Sequence, residues 1–444
     1  MNCKEEYSAK LCTPEEAVKC VKSGDWVDYI TGTAFPASLD AALAERRNEL
    51  ENVKIRGNMI AGPIMVVEKD PDMEHFVYNS WHCSAYERKL WQEGRIFFTP
   101  MTYRNIGWYY SEHLKVDVAM ISVSPMDKHG YFSFGCAVGM AWAALSQAGK
   151  IILEVNEAIP RVHGIYHNAI HISQVDAVVE CGWRELKEGK QLPIGETDEA
   201  IAENVLPYIE DGSTLQIGVG NVPNALGKLI ARSDLRDLGM HTELCGNGFL
   251  ELFKAGKLTN AKKSHFRGKG MAGIVFGSQD LYDWVDQNPS IMIAPLEYVN
   301  APATIAQLDN MVSINNCIAV DLYGQICAES AGLRHISGTG GQLDYVTGAA
   351  MARGGKAFIC MTSYFVNKDG ERQSRILPHF SGDIVTAPRS QAHFIVTEYG
   401  AVNLAGRSTW ERAEMLISIA HPDFREELIR AAEAQKIWRA SNKR

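Results

Sequence analysis

The stretch TDEAIAENVLPYIEDGSTLQIGVGNVPNAL (197–226) reads as one α/β unit: a helix, a glycine turn, an apolar strand, two glycines, and a second helix. Thr197 with its acidic neighbours suits a helix N-terminus. Gly218 and Gly220 follow the apolar strand, and Pro223 suits the first turn of the next helix. The same order occurs earlier, in TPEEAVKCVKSGDWVDYITGTAFPASL (13–39), where Thr13 and Pro36 hold the equivalent places. A unit that appears twice in a chain of 444 residues predicts two similar domains. Between them, ELKEGKQLPIGE (185–196) is polar and carries Gly and Pro, so the boundary is placed near residue 190, give or take about ten residues.

Outward from these units, apolar and amphipathic runs alternate. VDVAMISVS (116–124) and KIILEVN (150–156) predict buried parallel strands, while SAYERKLWQEG (84–94) and DFREELIRAAEAQKIW (423–438) predict amphipathic helices. Such alternation predicts an α/β fold with mixed, mainly parallel sheets. With 46% hydrophobic and 22% charged residues, the composition is that of a globular chain. A net charge of −9 argues against a nucleic-acid surface but not against a local basic pocket for an anion. No run approaches the roughly 20 apolar residues of a membrane helix, and the first residues have no signal-peptide core. A soluble cytoplasmic protein is expected. The ten cysteines are scattered without a CxxC pair, which suggests neither a zinc site nor a disulfide framework.

Four segments could carry chemistry. In QIGVGNVPNALGKLI (216–230), glycines allow backbone N–H groups to approach a phosphate or thioester oxygen, and the helix start adds partial positive charge. An ordinary tight turn is the plain alternative. In GMHTELCGNG (239–248), Glu243 sits in a short apolar strand before Gly246 and Gly248. A carboxylate beside glycine-rich backbone can act as a nucleophile, and a solvated strand-end glutamate is the alternative. Gly218 and Glu243 also mimic the spacing of a dinucleotide fingerprint, but Pro223 or Asn224 stands where the third glycine belongs. NAD binding stays a minor reading. In ISGTGGQLDYVTGA (336–349), Gly338, Gly340 and Gly341 form a loop suited to close ligand approach. Finally, His163, His167 and His171 recur every four residues, as metal ligands on a helix might, but Gly164 and β-branched neighbours weaken the helix and no carboxylate completes a set. No metal site is expected.

Taken together these segments resemble the acetyl-CoA hydrolase/transferase family of class I CoA-transferases. The likeness runs nearly end to end, through NSWHCSAYERK (79–89), PMTYRNIGWYY (100–110), VDVAMISVSPMDKHGYFSFG (116–135), KIILEVNEAIPRVHG (150–164), HISQVDAVVE (171–180), HTELCGNG, VSINNCIAVDLYGQICAES, ISGTGGQLDY and the tail FIVTEYGAVNLAGRSTWERAEMLISIAHPDFREEL (394–428). The resemblance implies two similar α/β domains with the active site between them: an N-terminal CoA-transferase domain over 1–190 and a C-terminal one over 191–444 carrying the catalytic glutamate. It assigns that glutamate to Glu243. CoA binding is assigned to Gly218, Val219, Gly220, Asn221 and Val222, and to Gly338, Gly340, Gly341 and Gln342.

The implied activity is transfer of CoA from a short-chain acyl-CoA, butyryl-CoA first, to acetate or another short carboxylate. No cofactor would be bound permanently, coenzyme A entering as a thioester substrate. Alternatives are 4-hydroxybutyrate or propionate CoA transfer, hydrolysis of acetyl-CoA, or a non-catalytic CoA- or dinucleotide-binding role. The partners expected are acyl-CoA and short carboxylates, with neither nucleic acid nor membrane, and the chain is expected to form a homodimer or homotetramer. The sequence departs from the family pattern at Asn247-Gly248, where an acidic step is common, and at Thr31, which leans away from a hydroxylated acid.

Overall fold

A computed structural model describes residues 2–189, 193–218 and 220–438. Two compact units emerge. One takes Met1–Gly189, Glu243–Gly246 and Gly270–Val299; the other takes Lys190–Thr242, Asn247–Lys269 and Asn300–Arg444. Glu243 therefore counts with the first unit although it lies far beyond residue 190.

The first unit holds a seven-stranded sheet, in the order Phe97–Phe98, Phe76–Ser80, Val53–Gly57, Trp26–Asp28, Val116–Val123, Ala148–Asn156, Ala177–Gly182. Every pairing in it is parallel. Val116–Val123 is buried at every residue but one. A parallel strand covered by helices on both faces has no need for polar alternation, which is why it reads as a continuous apolar run. The helix expected over 84–94 spans Ala85–Gln92, with a capping box between Ser84 and Glu87. The strand order reverses on either side of Trp26–Asp28. In open α/β sheets ligands bind beyond the strand ends at such a reversal.

The second unit repeats the plan. Its parallel strands run Gly239–Cys245, of which residues up to Thr242 belong to this unit, then Thr214–Ile217, Met311–Asn316, Lys356–Cys360 and Phe394–Thr397, and Gly400–Asn403 closes the edge antiparallel. Here the order reverses at Thr214–Ile217. Helices Gln342–Met351, Thr409–Ser418 and Pro422–Ala434 contribute Val346, Leu416 and Leu428 to its core. The two units are thus of one kind, α/β with mainly parallel sheets, as the repeat predicts.

Local details differ from the sequence reading. Thr13 caps the helix Pro14–Ala17 in a capping box with Glu16, as expected. Thr197 does not cap, because its helix begins one residue earlier, at Glu196. Asp198 instead accepts the Gly195 N–H at 3.0 Å. The helix expected to open at Pro223 starts at Asn221, with Gly220 before it at φ 129°. The 163–171 histidines share no helix. His167 has φ +52° and stacks on Trp142, and His171 ends the strand Ala169–His171. Among the described residues no cluster of three metal-ligating side chains occurs, and no helix is long and apolar enough to cross a membrane.

Candidate active site

Glu243 is half-buried in the strand Gly239–Cys245, between buried Thr242 and Leu244. What fixes it is close packing that only glycine allows. A Cβ on Gly273, in the strand Gly270–Val275, would lie 3.2 Å from the Glu243 carbonyl oxygen and would drive into Leu296. A Cβ on Gly139 would in turn lie 2.6 Å from the Gly273 carbonyl oxygen. Layers this tight leave the strand little room to shift.

Tyr103 is fully buried, and its phenol is pushed well above its ordinary range by burial, then by the neighbouring carboxylates Glu243 and Glu87. Its hydroxyl reaches the Met59 sulfur at 4.0 Å. Met59 (φ +51°) and Ile30 (φ +62°) both adopt left-handed backbone, which is rare for side chains of this size. They sit where the chain leaves the strands Val53–Gly57 and Trp26–Asp28, beside the order reversal. The two segments touch: Gly32 N–H donates to the Asn58 carbonyl at 2.9 Å, and a Cβ on Gly32 would collide with the Met59 carbonyl. Such backbone costs energy and persists only where the surrounding packing holds it.

Against these segments lies a cavity of about 220 Å³. Thr33, Phe35, Ile60 and Pro63 give it an apolar side; Ser122 and Arg184 stand on its polar side. The Arg184 charge is met by Glu154, which is fully buried. Glu154 also accepts from Ser122 Oγ at 2.9 Å and from the Ser38 N–H at 2.8 Å. Thr31, which the sequence reading placed near an acyl group, is buried, and its neighbours Gly32 and Thr33 line the cavity.

In the second unit both glycine segments meet the end of the strand Met311–Asn316. Gly218 N–H donates to the Ile314 carbonyl at 2.9 Å. A Cβ on Gly220 would sit 2.7 Å from Asn316 Nδ2. From the other loop, Gln342 Nε2 donates to the Asn316 carbonyl at 2.7 Å, while Gln342 Oε1 is buried with no hydrogen-bond partner among the described residues. The helices Asn221–Arg232 and Gln342–Met351 start here, with Gly220 and Gly341 before them. Two helix N-termini beside glycine backbone favour an anion.

Asn221 Nδ2 donates to Pro193 O and Asp198 Oδ2, each at 3.3 Å, and Val222 is packed in the core. Val219 lies outside the described residues. The Gly338–Gly341 loop rests on Glu329, a residue the sequence reading passed over. Glu329 is 4% exposed; its carbonyl accepts the Ile336 N–H at 2.8 Å and its carboxyl accepts Thr339 Oγ1 at 3.0 Å. Burial pushes that carboxyl up from its ordinary value. Gln216, Ser313 and Asn315 form a further unforeseen network below the turn: Ser313 Oγ and Asn315 Nδ2 both donate to Gln216 Oε1, at 2.7 and 2.9 Å. The signal was present in SINN (313–316), where polar side chains end an otherwise apolar strand.

A half-buried carboxylate on a glycine-packed strand and, in the second unit, glycine loops at two helix N-termini that suit an anion are features that suit an acyl- or CoA-handling enzyme of two α/β units. The chain belongs to the acetyl-CoA hydrolase/transferase family: the model of that family's N-terminal domain matches residues 1–182 and that of its C-terminal domain residues 277–432. It is 47% identical to butyryl-CoA:acetate CoA-transferase of Anaerostipes caccae, over 100% of both chains. It is 46% identical to a probable butyrate:acetyl-CoA coenzyme A-transferase of Syntrophomonas wolfei, over 99% of this chain and 98% of that one. Among solved structures, that of RipA from Yersinia pestis covers 99% of this chain and all of its own, with TM-score 0.91 and 36% identity.

Proposed function

We propose that this CoA-transferase moves CoA from a short-chain acyl-CoA, butyryl-CoA first, to acetate or another short carboxylate through a glutamyl-CoA thioester on Glu243. The observation that carries the reading is Glu243 itself, held half-buried within the field of buried Tyr103. Tyr103 leads through Met59 and Ile60 to a cavity of about 220 Å³ with an apolar wall. Pockets for drug-sized ligands run from about 300 Å³ upward, so this one suits a short acyl chain.

In the mechanism the Glu243 carboxylate adds to the thioester carbonyl. The C–S bond breaks, leaving an acyl–glutamyl anhydride and CoA thiolate. The thiolate attacks the Glu243 carbonyl carbon and expels the first acid, leaving glutamyl-CoA. The incoming carboxylate attacks that thioester carbonyl, and the returning thiolate attacks the acyl carbon of the new anhydride, regenerating Glu243. Thioester energy is conserved, so no nucleotide is hydrolysed. Each addition builds an oxyanion, and removing one preorganised donor typically costs about 2.7–4 kcal/mol. Gly218, Val219, Gly220, Asn221 and Val222, with Gly338, Gly340, Gly341 and Gln342, are the backbone and side-chain groups assigned to CoA. Binding energy from the distant nucleotide end would hold the reacting end in place.

The polar side of the cavity, with Ser122 and Arg184, keeps transfer to 4-hydroxybutyrate as a second reading. Water entering at the glutamyl-CoA stage would turn transfer into hydrolysis. Division into domains near residue 190 and a cytoplasmic homo-oligomer complete the reading on the family resemblance; light scattering of the purified protein tests the last. The deciding experiment is peptide mass after incubation with butyryl-CoA and borohydride. Reduction of a glutamyl thioester to an alcohol on the peptide holding Glu243, absent in Glu243→Ala, is the expected result. An unmodified wild type that still turns over would overturn the covalent route.

A further inference from the structure

Ile60, Ala61, Gly62 and Pro63 form one wall of the 220 Å³ cavity, and that wall is a span of chain supported at its two ends. Ala61 and Pro63 are exposed. Among the described residues, Ala61, Gly62 and Pro63 make no hydrogen bond through their backbone. A segment with so few bonds of its own takes its position from whatever holds its ends.

Both ends are held by carboxyl groups from neighbouring helices. At the first, the Ile60 N–H donates to Glu87 Oε2 at 3.0 Å, and Ser84 Oγ donates to the Ile60 carbonyl at 2.6 Å. At the second, the Met65 and Val66 N–H groups donate to Asp40 at 2.6 and 3.4 Å, and the Ile64 N–H donates to Tyr86 Oη at 3.2 Å. Glu87 and Asp40 are both fully buried. Neither meets a lysine or arginine among the described residues. Besides the wall, Glu87 accepts from Tyr78 Oη and the Ser84 N–H, and Asp40 from Tyr29 Oη.

A buried carboxyl group with no cation beside it is costly, and no step of the transfer at Glu243 uses either one. What the two share is the span between them. Asp40 lies on the helix Ala37–Glu45, whose first residue lines the same cavity. The charge of Glu87 reaches Tyr103 together with that of Glu243.

We propose that Glu87 and Asp40 are positioning residues for acyl-chain selection, fixing the Ile60–Pro63 wall and so setting how long a chain the cavity admits. The proposal rests on the transferase reading, which makes this cavity the acyl pocket. With both ends held, a chain longer than butyryl meets the wall. With one end released, the wall retreats and longer chains enter. Neither carboxyl group touches the substrate; each acts through the backbone of the wall.

Conservative pairs separate this role from simple packing. In Glu87→Gln the amide oxygen still takes the Ile60 and Ser84 N–H groups, while the NH2 donates to Tyr78 Oη, since a hydroxyl serves as donor or acceptor. Glu87→Leu fills similar space and accepts nothing. Asp40→Asn and Asp40→Leu are the same pair at the other end, with Tyr29 in the place of Tyr78. Tyr86→Phe removes a single hydroxyl from a half-buried side chain, and so reports on the wall even if the leucine variants fail to fold.

The test is kcat/KM for butyryl-CoA relative to hexanoyl-CoA, with acetate as acceptor, on full-length protein. A ratio taken on one sample cancels any loss of folded enzyme. Methylene groups in an apolar pocket discriminate by about tenfold or more, so wild type should favour butyryl-CoA by that much and the leucine variants should lose most of the preference. The Gln and Asn variants should keep it. Loss of one hydrogen bond in Tyr86→Phe should narrow it by about threefold. An unchanged ratio in Tyr86→Phe and in every leucine variant that folds overturns the proposal. So does a ratio that moves as far in Glu87→Gln as in Glu87→Leu. A wild type that exchanges CoA with neither substrate overturns the transferase reading and this role with it, a failure told apart by the absence of wild-type turnover.

Discussion

Gly32→Ala places a methyl group against backbone that has nowhere to go. The added carbon would meet the Met59 carbonyl carbon at 2.8 Å and Ile60 Cα at 3.2 Å, with the Met59 carbonyl oxygen closer still. Met59 cannot simply recoil. Its N–H donates to the His82 carbonyl at 2.8 Å, and the next N–H, of Ile60, donates to the Glu87 carboxyl at 3.0 Å. Overpacking of this kind costs about 1–3 kcal/mol, and loosening a hydrogen bond to a carboxyl adds about 1.5–3 kcal/mol if it stays charged. A loss of about 3 kcal/mol is expected. For a unit of 150–250 residues that lowers the melting temperature by about 6–12 °C. Because Ile60 lines the cavity, KM for butyryl-CoA should rise as well. Gly62→Ala is the matched control, since its Cβ would meet only the flexible Lys187 side chain, at 3.4 Å. That variant should stay within about 0.5 kcal/mol of wild type. The assay is differential scanning fluorimetry alongside steady-state kinetics. If Gly32→Ala melts with Gly62→Ala and keeps its KM, the crossing of the two strand ends is not as tight as described.

Other expectations follow from single contacts. Tyr103→Phe removes the buried hydroxyl that feels the charge of Glu243, and kcat should drop at unchanged fold; unchanged kcat would remove Tyr103 from the site. Gln342→Leu deletes the donor to Asn316 O, and KM for the acyl-CoA should rise about three- to tenfold with stability nearly constant, measured by initial rates. Arg56→Ala strips the partner from buried Asp28, 2.9 Å away, and should cost about 3–5 kcal/mol in urea unfolding, while activity of the folded fraction persists. Glu87, fully buried, is pushed up to about 7 by burial, against hydrogen bonds from Ser84, Tyr78 and Ile60 that favour its charged form. Its folded value lies above the unfolded one, so its contribution is complete below about pH 4.5 and is lost as pH rises through about 7. The loss is about 3 kcal/mol across that window, and Glu87→Gln should flatten the slope of stability against pH.

Much of the site was legible because it is local. Glu243 announces itself as a carboxylate in an apolar strand before two glycines, and the two glycine segments stand out by composition alone. Other parts had no local signature. Tyr103 reads as one aromatic among many until the fold brings it under the charge of Glu243. Glu329 looks like a surface acid, yet it is buried beneath the glycine loop. The contacts of the Asn221 amide with Pro193 and Asp198 likewise have no local signature.

The repeated helix–strand–glycine unit, the parallel-sheet class and the chemical types at the candidate site can all be read from the order of residues. Those depend on periodicity and on backbone freedom, which are properties of neighbouring residues. That Glu243 counts with the first unit, that both glycine segments meet Asn316, and that Met59 and Gly32 cross emerges from the folded chain alone. Each of these joins residues far apart in the chain, and such contacts are set by how strands order and helices pack rather than by any one segment's preference.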